Sequence, residues 1–334
     1  MMSPPRSISP DPDGLLADRV RAGDRGALAR AITLVESTRA DHRAEADALL
    51  NRLLPASNAA LRIGLSGPPG TGKSTFIEAF GLYLIAQGHR VAVLAVDPTS
   101  PRSGGSILGD KTRMADLARA EAAYIRPSPT GGQLGGVARR TRESMIVCAA
   151  AGFDVVIVET VGVGQSETTV AEMVDLFVLM VPPAGGDELQ GIKKGIVELA
   201  DIVLVNKADG DLAAAAGRTA SDYLAALHMA SPATKGWAPP VVKVSALERK
   251  GLDAAWRAMQ AYRDYQGPEG LAAKRATQAG RWMWREIEDG LIAALRADGA
   301  LNRRIKAMEN KVFQGVMTPG SAAATILSEF LRGN

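Results

Sequence analysis

Eight residues, Gly67-Pro-Pro-Gly-Thr-Gly-Lys-Ser74, constrain this chain more than any other stretch. They match the pattern G-x-x-x-x-G-K-[ST] and stand between an apolar run, LRIGLS, and a helical pattern that begins at Lys73. Glycines let backbone N–H groups turn toward phosphate oxygens, and the helix that follows presents the positive end of its dipole. A glycine-rich turn without a ligand is the alternative. Because both flanks fit, we predict a phosphate-binding loop.

Short β-branched runs alternate with helical stretches from about residue 59 to 266. Such continuous apolar runs are typical of strands covered on both faces of a parallel sheet. We therefore predict an α/β fold, a doubly wound and mostly parallel sheet. Helical spacing before and after it predicts an N-terminal helical extension over 14–58 and a C-terminal one over 267–334, after a disordered start over 1–13. The six runs are LRIGLSG, RVAVLAVD, DVVIVET, LFVLMV, DIVLVNK and VVKVS.

A base-binding pattern, Asn206-Lys-Ala-Asp209, follows the run DIVLV. A carboxylate at this place can accept hydrogen bonds from the ring N–H and the amino group of guanine together, which adenine does not offer. Asn206 and the stem of Lys207 would complete the pocket, and a backbone N–H in Ser245-Ala-Leu247 could contact the guanine carbonyl. Four letters alone could equally mark a polar turn. Their position after a late strand, where ligands of open α/β sheets collect, favours GTP over ATP.

Acidic residues end two of the predicted strands. Asp97 closes RVAVLAVD and Glu159 closes DVVIVET, and hard oxygen ligands at these places suit Mg²⁺, together with the Ser74 hydroxyl. Asp97 could instead be a turn former before proline. Gly162 could approach the γ-phosphate through its N–H, and Asp110 is a further candidate for the metal shell.

Composition excludes several classes of protein. The chain has 39 basic and 36 acidic residues, so no strong field points to nucleic acid or an anionic membrane as a partner. One cysteine, Cys148, cannot form an internal disulfide, and the first residues lack an apolar core of the kind that secretion signals carry. We expect a cytoplasmic protein without a membrane segment. Its three scattered histidines compose no zinc or nickel relay site.

Several long motifs in order resemble the MeaB/ArgK-type GTPases, the family of the methylmalonic aciduria type A protein. They are GPPGTGKST, VDPTSPRSGGSILGDKTRM, ETVGVGQSE, PPAGGDELQGIKKGI and NKAD, and the likeness runs from about residue 14 to 264. The resemblance implies a GTPase that acts as a chaperone of the adenosylcobalamin-dependent methylmalonyl-CoA mutase. It also implies a homodimer built through the C-terminal helices.

The same resemblance assigns roles to individual residues. It implies magnesium at Ser74, Asp97 and Glu159, with Asp110 less secure. Residues 182–194, which by themselves fit an ordinary surface loop, become a nucleotide-sensing segment that faces the mutase. We predict catalytic roles for Lys73, Glu159, Gly162 and Lys193; Gln165 and Lys193 are candidates for water activation by position only. The residues that would bind GTP or GDP are Gly67, Pro68, Pro69, Gly70, Thr71, Gly72, Lys73, Ser74, Thr75, Asn206, Lys207, Asp209, Ser245, Ala246 and Leu247.

Two other functions fit the same fold. A metallochaperone GTPase would need a Cys- or His-rich relay, and a phosphotransferase would move the γ-phosphate to a small substrate. The resemblance favours a slow GTPase whose nucleotide state gates cofactor loading and protects or reactivates the mutase, with a basal rate that the partner raises.

Overall fold

The structure, a computed structural model, describes residues 15–96, 114–127, 134–160, 166–183, 194–229, 233–297 and 299–333. The described residues divide into two compact units, with the division between Leu271 and Ala272.

Three helices open the first unit: Leu15–Arg21 (α1), Arg25–Val35 (α2) and Ala40–Leu53 (α3). Helix α2 begins because the side chain of Asp24 accepts a hydrogen bond from the backbone N–H of Ala27, which satisfies one of the free donors of the first turn. Its buried residues lie at helical spacing, from Leu28 to Val35. The three helices pack on one another and on a later helix, Leu134–Ala150 (α6).

A seven-stranded parallel sheet forms the centre of the first unit, within the described residues. Its order is β3-β2-β4-β1-β5-β6-β7, so the chain reverses direction across the sheet beside β1. This confirms the doubly wound α/β fold. The strands are Leu61–Ser66 (β1), Val91–Val96 (β2), Ala123–Arg126 (β3), Val155–Thr160 (β4), Leu176–Val181 (β5), Ile202–Val205 (β6) and Val241–Lys243 (β7).

Helices cover both faces of the sheet. The helix after β1 packs aromatic side chains against it, with the Phe76 and Phe80 rings stacked at 5.1 Å, inside a continuous apolar core. Central strands β4, β5 and β6 are buried along their whole length, as expected between two helical layers. The helices between strands are Lys73–Ala86 (α4), Ala115–Arg119 (α5), α6, Ser166–Ala171 (α7), Lys194–Leu199 (α8) and Ala213–Met229 (α9).

A long helical segment, Leu252–Ala297 (α10), begins in the first unit and continues into the second. It is interrupted at Gly267, whose φ of 60° and ψ of 174° are not helical, and Pro268 follows. The second unit adds Gly299–Phe313 (α11) and Pro319–Gly333 (α12), which pack on each other.

Candidate functional site

The phosphate-binding loop occupies the turn between β1 and α4. Gly67 has a φ of 155°, and a Cβ atom there would lie 2.0 Å from the carbonyl oxygen of Met180 in β5. Gly72 caps α4 in the left-handed region, with a φ of 88°, and a Cβ atom there would lie 2.8 Å from Nδ2 of Asn206. The loop is therefore held so close to the backbone of β5 and to the base loop, residues 206–209, that both positions require glycine.

Lys73 folds back over this loop. Its Nζ donates to the carbonyl oxygens of Gly67 at 2.7 Å and Pro68 at 3.2 Å, and the residue is 9% exposed. Burial lowers the pKa of Lys73, while the carboxylates of Glu159 and Glu167 oppose that shift. The ammonium is thus placed among loop carbonyls and two acidic side chains, at the place where phosphate charge would be neutralised.

The predicted metal side of the site joins two elements that are far apart in sequence. The Ser74 hydroxyl, in the first turn of α4, donates to Oε1 of Glu159 at 3.1 Å, and Glu159 is 8% exposed. Glu159 pairs in register with Leu65 of β1 and Ala95 of β2, so it lies at the carboxyl edge of the sheet. The end of β2, Val96, lies beside Thr160, and Asp97 follows it in the chain.

Several predicted site residues lie outside the described residues. These are Asp97, Asp110, Gly162, Gln165 and Lys193, together with most of the loop over 182–194. Their assignments stay predictions from the sequence.

The base side is organised by Asn206, which is buried at the end of β6. Its Nδ2 donates to the carbonyl oxygen of Thr71 at 2.9 Å, and its Oδ1 accepts from the backbone N–H of Ala246 at 3.1 Å. One amide side chain therefore ties together the phosphate loop, the base loop and the turn after β7. The sequence placed Asn206 in the base pocket but did not predict this link. It also means that the Ala246 N–H, a candidate donor to guanine, already has a partner.

Asp209 is half-buried beside the same turn. The Ser245 hydroxyl donates to its Oδ2 and accepts from the backbone N–H of Glu248 at 3.0 Å, so the carboxylate is fixed in orientation. Lys207 is exposed in the left-handed region, with a φ of 56°, and Leu247 is 80% exposed. The arrangement can offer an oriented carboxylate, with the exposed side chains of Lys207 and Leu247 close to it in the chain or in the adjoining turn, which suits a purine ring.

Glu167 was missed by the sequence reasoning. It lies in the first turn of α7, is nearly fully buried and acts electrostatically on Lys73. The signal was present, because an acidic residue opens a helix directly after the strand-ending Glu159 and a short glycine-containing segment.

No group of three or more His, Cys, Asp or Glu side chains in the described ranges is arranged to hold a metal ion. Within the same ranges, no helix combines the length and apolar composition needed to cross a bilayer.

A phosphate loop at the sheet switch point and an oriented carboxylate beside it define a P-loop protein that binds guanine nucleotides. The family model described as "Methylmalonyl Co-A mutase-associated GTPase MeaB" matches residues 28–300. The chain belongs to this MeaB family and is a GTPase, as the names of its relatives also indicate.

Three relatives span nearly the whole chain. A "Putative GTPase" of Caulobacter vibrioides is 55% identical over 94% of this chain and 97% of its own length. The "Methylmalonic aciduria type A homolog, mitochondrial" of Mus musculus is 49% identical over 92% of this chain and 77% of its own length. The "GTPase ArgK" of Escherichia coli is 47% identical over 94% and 95%, respectively.

Among solved structures, one titled "Crystal structure of LAO/AO transport system kinase" superposes with a TM-score of 0.78. It is 39% identical and covers 98% of this chain and 100% of its own. This agrees with the α/β GTPase fold described above.

Proposed function

We propose that this GTPase is a chaperone of methylmalonyl-CoA mutase. Its nucleotide state would gate the loading of adenosylcobalamin and would protect or reactivate the mutase. The observation that carries the proposal is the match of the MeaB family model to residues 28–300, whose description names the mutase. The mouse relative, named for methylmalonic aciduria, supports the same partner.

The nucleotide would be bound from both ends. The loop from Gly67 to Thr75 would hold the phosphates through backbone N–H groups, with Lys73 as their counter-ion. Asp209 would read guanine, and Asn206 would couple base and phosphate occupancy, since it contacts both loops. A chaperone needs this coupling, because its conformation must depend on the nucleotide as a whole.

Magnesium would be held at the junction of Ser74 and Glu159, with Asp97 and Asp110 as further candidates. The donor set fits, because a hydroxyl and a buried carboxylate, both hard oxygen ligands, already lie within hydrogen-bonding distance. A bound Mg²⁺ supplies charge neutralisation at the β- and γ-phosphate oxygens. Gly162 and Lys193 would act at the γ-phosphate.

We further propose a homodimer through the C-terminal helices. Along α10, Trp284 is 61% exposed and Leu291 is 54% exposed, on one stripe with Ile287. Apolar surface of this kind marks an interaction site rather than a solvated helix face.

We also propose that the protein is cytoplasmic. The single cysteine of the chain, Cys148, is buried and unpaired, which fits a reducing compartment.

A phosphotransferase is the second candidate, because a similar solved structure is titled a transport system kinase. The two functions differ in the fate of the γ-phosphate. Phosphate released to water indicates hydrolysis; phosphate recovered on an acceptor indicates transfer.

The test is capture of the mutase from solution by the immobilised chain. Purified apo-mutase would be offered with GDP, with a non-hydrolysable GTP analogue or without nucleotide, and bound adenosylcobalamin would be measured by its absorbance. We expect capture that depends on the nucleotide, and its loss in Asp209→Asn but not in Asp211→Asn, an exposed neighbour. Equal capture under all three nucleotide conditions would contradict a nucleotide-gated chaperone.

A further inference from the structure

Helix α2 lies along the edge strand β3 and contacts it at both ends. At its first residue, Arg25 donates from Nη1 to the carbonyl oxygen of Glu121 and from Nη2 to that of Ala123, both at 2.9 Å. At its C-terminal cap, Glu36 accepts from Nε of Arg126, at 3.1 Å to each carboxylate oxygen, and from Nη2 of the same side chain.

The length of α2 matches the length of the chain segment that it contacts. From Arg25 to Glu36 a helix rises about 16 Å, at 1.5 Å per residue. From Glu121 to Arg126 an extended chain spans at most about 17 Å. One helix can therefore reach both ends of the strand without strain, so α2 works as a clamp along β3.

The clamp contact at Glu36 is a partly buried ion pair. The side chain of Glu36 is 8% exposed and that of Arg126 is 34% exposed. The hydrogen bonds to Glu36 raise the pKa of Arg126 against the opposing effect of burial. Burying charge costs desolvation, so such a pair is better explained by the geometry it fixes than by net stability.

A second tether joins the N-terminal helices to the same region. Arg43 of α3 contacts Glu143 of α6, with an N–O distance of 2.9 Å, and Glu143 is nearly buried. Helix α6 follows β3 in the chain, so two successive elements are each tethered to the N-terminal helices.

The ion pair adjoins the part of the sheet that leads to the metal side of the site. Arg126 pairs in register with Leu94 of β2, and the next residue of β2, Ala95, pairs with Glu159. Leu94 and Ala95 line the same small pocket as Glu36 and Arg126. One strand, β2, thus separates Arg126 from Glu159, and the pair adjoins the last residues of β2.

We propose that Glu36 and Arg126 are positioning residues for magnesium-dependent GTP hydrolysis. By fixing the end of β3 they fix the end of β2, where Ala95 pairs in register with Glu159. The N-terminal helices are then part of the nucleotide-responsive machinery rather than an appendage. The inference rests on the proposed magnesium site.

The experiment compares Glu36→Gln with Asp253→Asn. The first keeps side-chain shape and removes the charge facing Arg126; the second breaks an exposed ion pair, Asp253–Arg257, in the same unit. Two quantities are measured for each: the Mg²⁺ concentration that half-saturates GTP hydrolysis, and hydrogen exchange of residues 91–96 and 121–127. For Glu36→Gln we expect the half-saturating Mg²⁺ concentration to rise at least threefold and hydrogen exchange to be faster in both segments. The affinity for GDP should stay within twofold of that of the unchanged protein. The control should match the unchanged protein.

The swapped double variant, Glu36→Arg with Arg126→Glu, should recover part of the loss, which a packing defect would not. If Glu36→Gln does not fold, Arg126→Lys replaces it, because lysine keeps the positive charge but lacks the forked guanidinium group. The same threefold rise and the same faster exchange are then expected. A rise of less than threefold with unchanged exchange would overturn the proposal. Glu159→Gln is measured in the same experiment. If this variant has an unchanged Mg²⁺ requirement, the proposed magnesium site is wrong. In that case the hydrogen-exchange data alone test whether Glu36 and Arg126 hold the ends of β3 and β2.

Discussion

The Ser74 hydroxyl donates a hydrogen bond to Glu159 at 3.1 Å, although the two residues are 85 positions apart. Ser74 belongs to the first turn of the helix after the phosphate loop, and Glu159 to a strand hydrogen-bonded to β1. The parallel sheet brings both to one edge, since the carboxyl ends of its strands meet there. Two oxygen atoms that could ligate a metal ion are thereby placed together beside Lys73.

From this contact follows a prediction about the metal. Glu159→Gln keeps the size of the side chain but removes the charge, so hydrolysis should fall at least tenfold, or about 1.4 kcal/mol, and need more Mg²⁺. GDP affinity should change less, because Asp209 and the loop backbone remain. Lys73→Ala should lower both the rate of GTP hydrolysis and the affinity for GDP. The measurements are GTPase rates over a magnesium titration and calorimetry with GDP, with exposed Glu269→Gln as control. Normal hydrolysis by the Glu159 variant at every magnesium concentration would show that the residue has no metal-linked role.

Base recognition gives the second prediction. Asp209→Asn replaces one acceptor oxygen with a donor that faces the donors of guanine, so GTP affinity should fall by roughly 2–4 kcal/mol. Xanthosine triphosphate, which presents an acceptor there, should bind better. Asp211→Asn, two residues away and exposed, is the matched control. Calorimetry with both nucleotides decides, and unchanged GTP binding in the Asp209 variant would refute the guanine assignment.

Two glycines of the phosphate loop should differ sharply. In Gly70→Ala the new Cβ meets nothing within 4 Å, so only the left-handed φ of 79° is penalised, by about 1–2 kcal/mol. In Gly67→Ala the Cβ would lie 2.0 Å from the Met180 carbonyl oxygen, which belongs to β5 backbone and cannot give way easily. We expect a clearly larger loss of unfolding free energy and of nucleotide affinity for Gly67→Ala. Urea denaturation of the two variants would disprove the close approach if the losses were equal.

Two substitutions by glutamate on α10 test the proposed dimer. Leu291→Glu puts a charge into the exposed apolar stripe with Trp284 and Ile287, whereas Ala293→Glu puts it on the opposite face. Only the first should shift the chain toward monomer in light scattering, while both should bind nucleotide normally. Truncation after about residue 268 should also give monomers. A monomeric full-length chain at micromolar concentration would contradict the proposed dimer.

Much of the sheet could be predicted from the sequence, because buried parallel strands have long apolar runs that differ from helical patterns. Strand β3 was missed for a physical reason: it is a four-residue edge strand, only one of whose residues is fully buried, so Ala123–Arg126 carries little pattern. What makes it a strand is tertiary, namely pairing with β2 on one side and the contacts of Arg25 and Glu36 along α2.

The site was predictable where local geometry dictates residue type. Glycine at 67 and 72, lysine at 73 and the acid at 159 follow from the turn and from phosphate chemistry. The links between loops were not predictable, since the bond of Asn206 to Thr71 joins residues 135 positions apart and depends on strand order. Asp97, Asp110, Gly162 and Lys193 stay predictions because they lie outside the described residues.

The most direct test of the account is the rate of GTP hydrolysis measured against the concentration of methylmalonyl-CoA mutase. Linkage requires that a partner which senses the nucleotide also alters its handling. We expect a slow basal rate that rises with mutase and saturates. Lys193→Ala and Gln190→Ala should weaken this rise more than the basal rate, whereas exposed Lys235→Ala should not. A GTPase rate that stays constant across the whole mutase titration would contradict the proposed chaperone function.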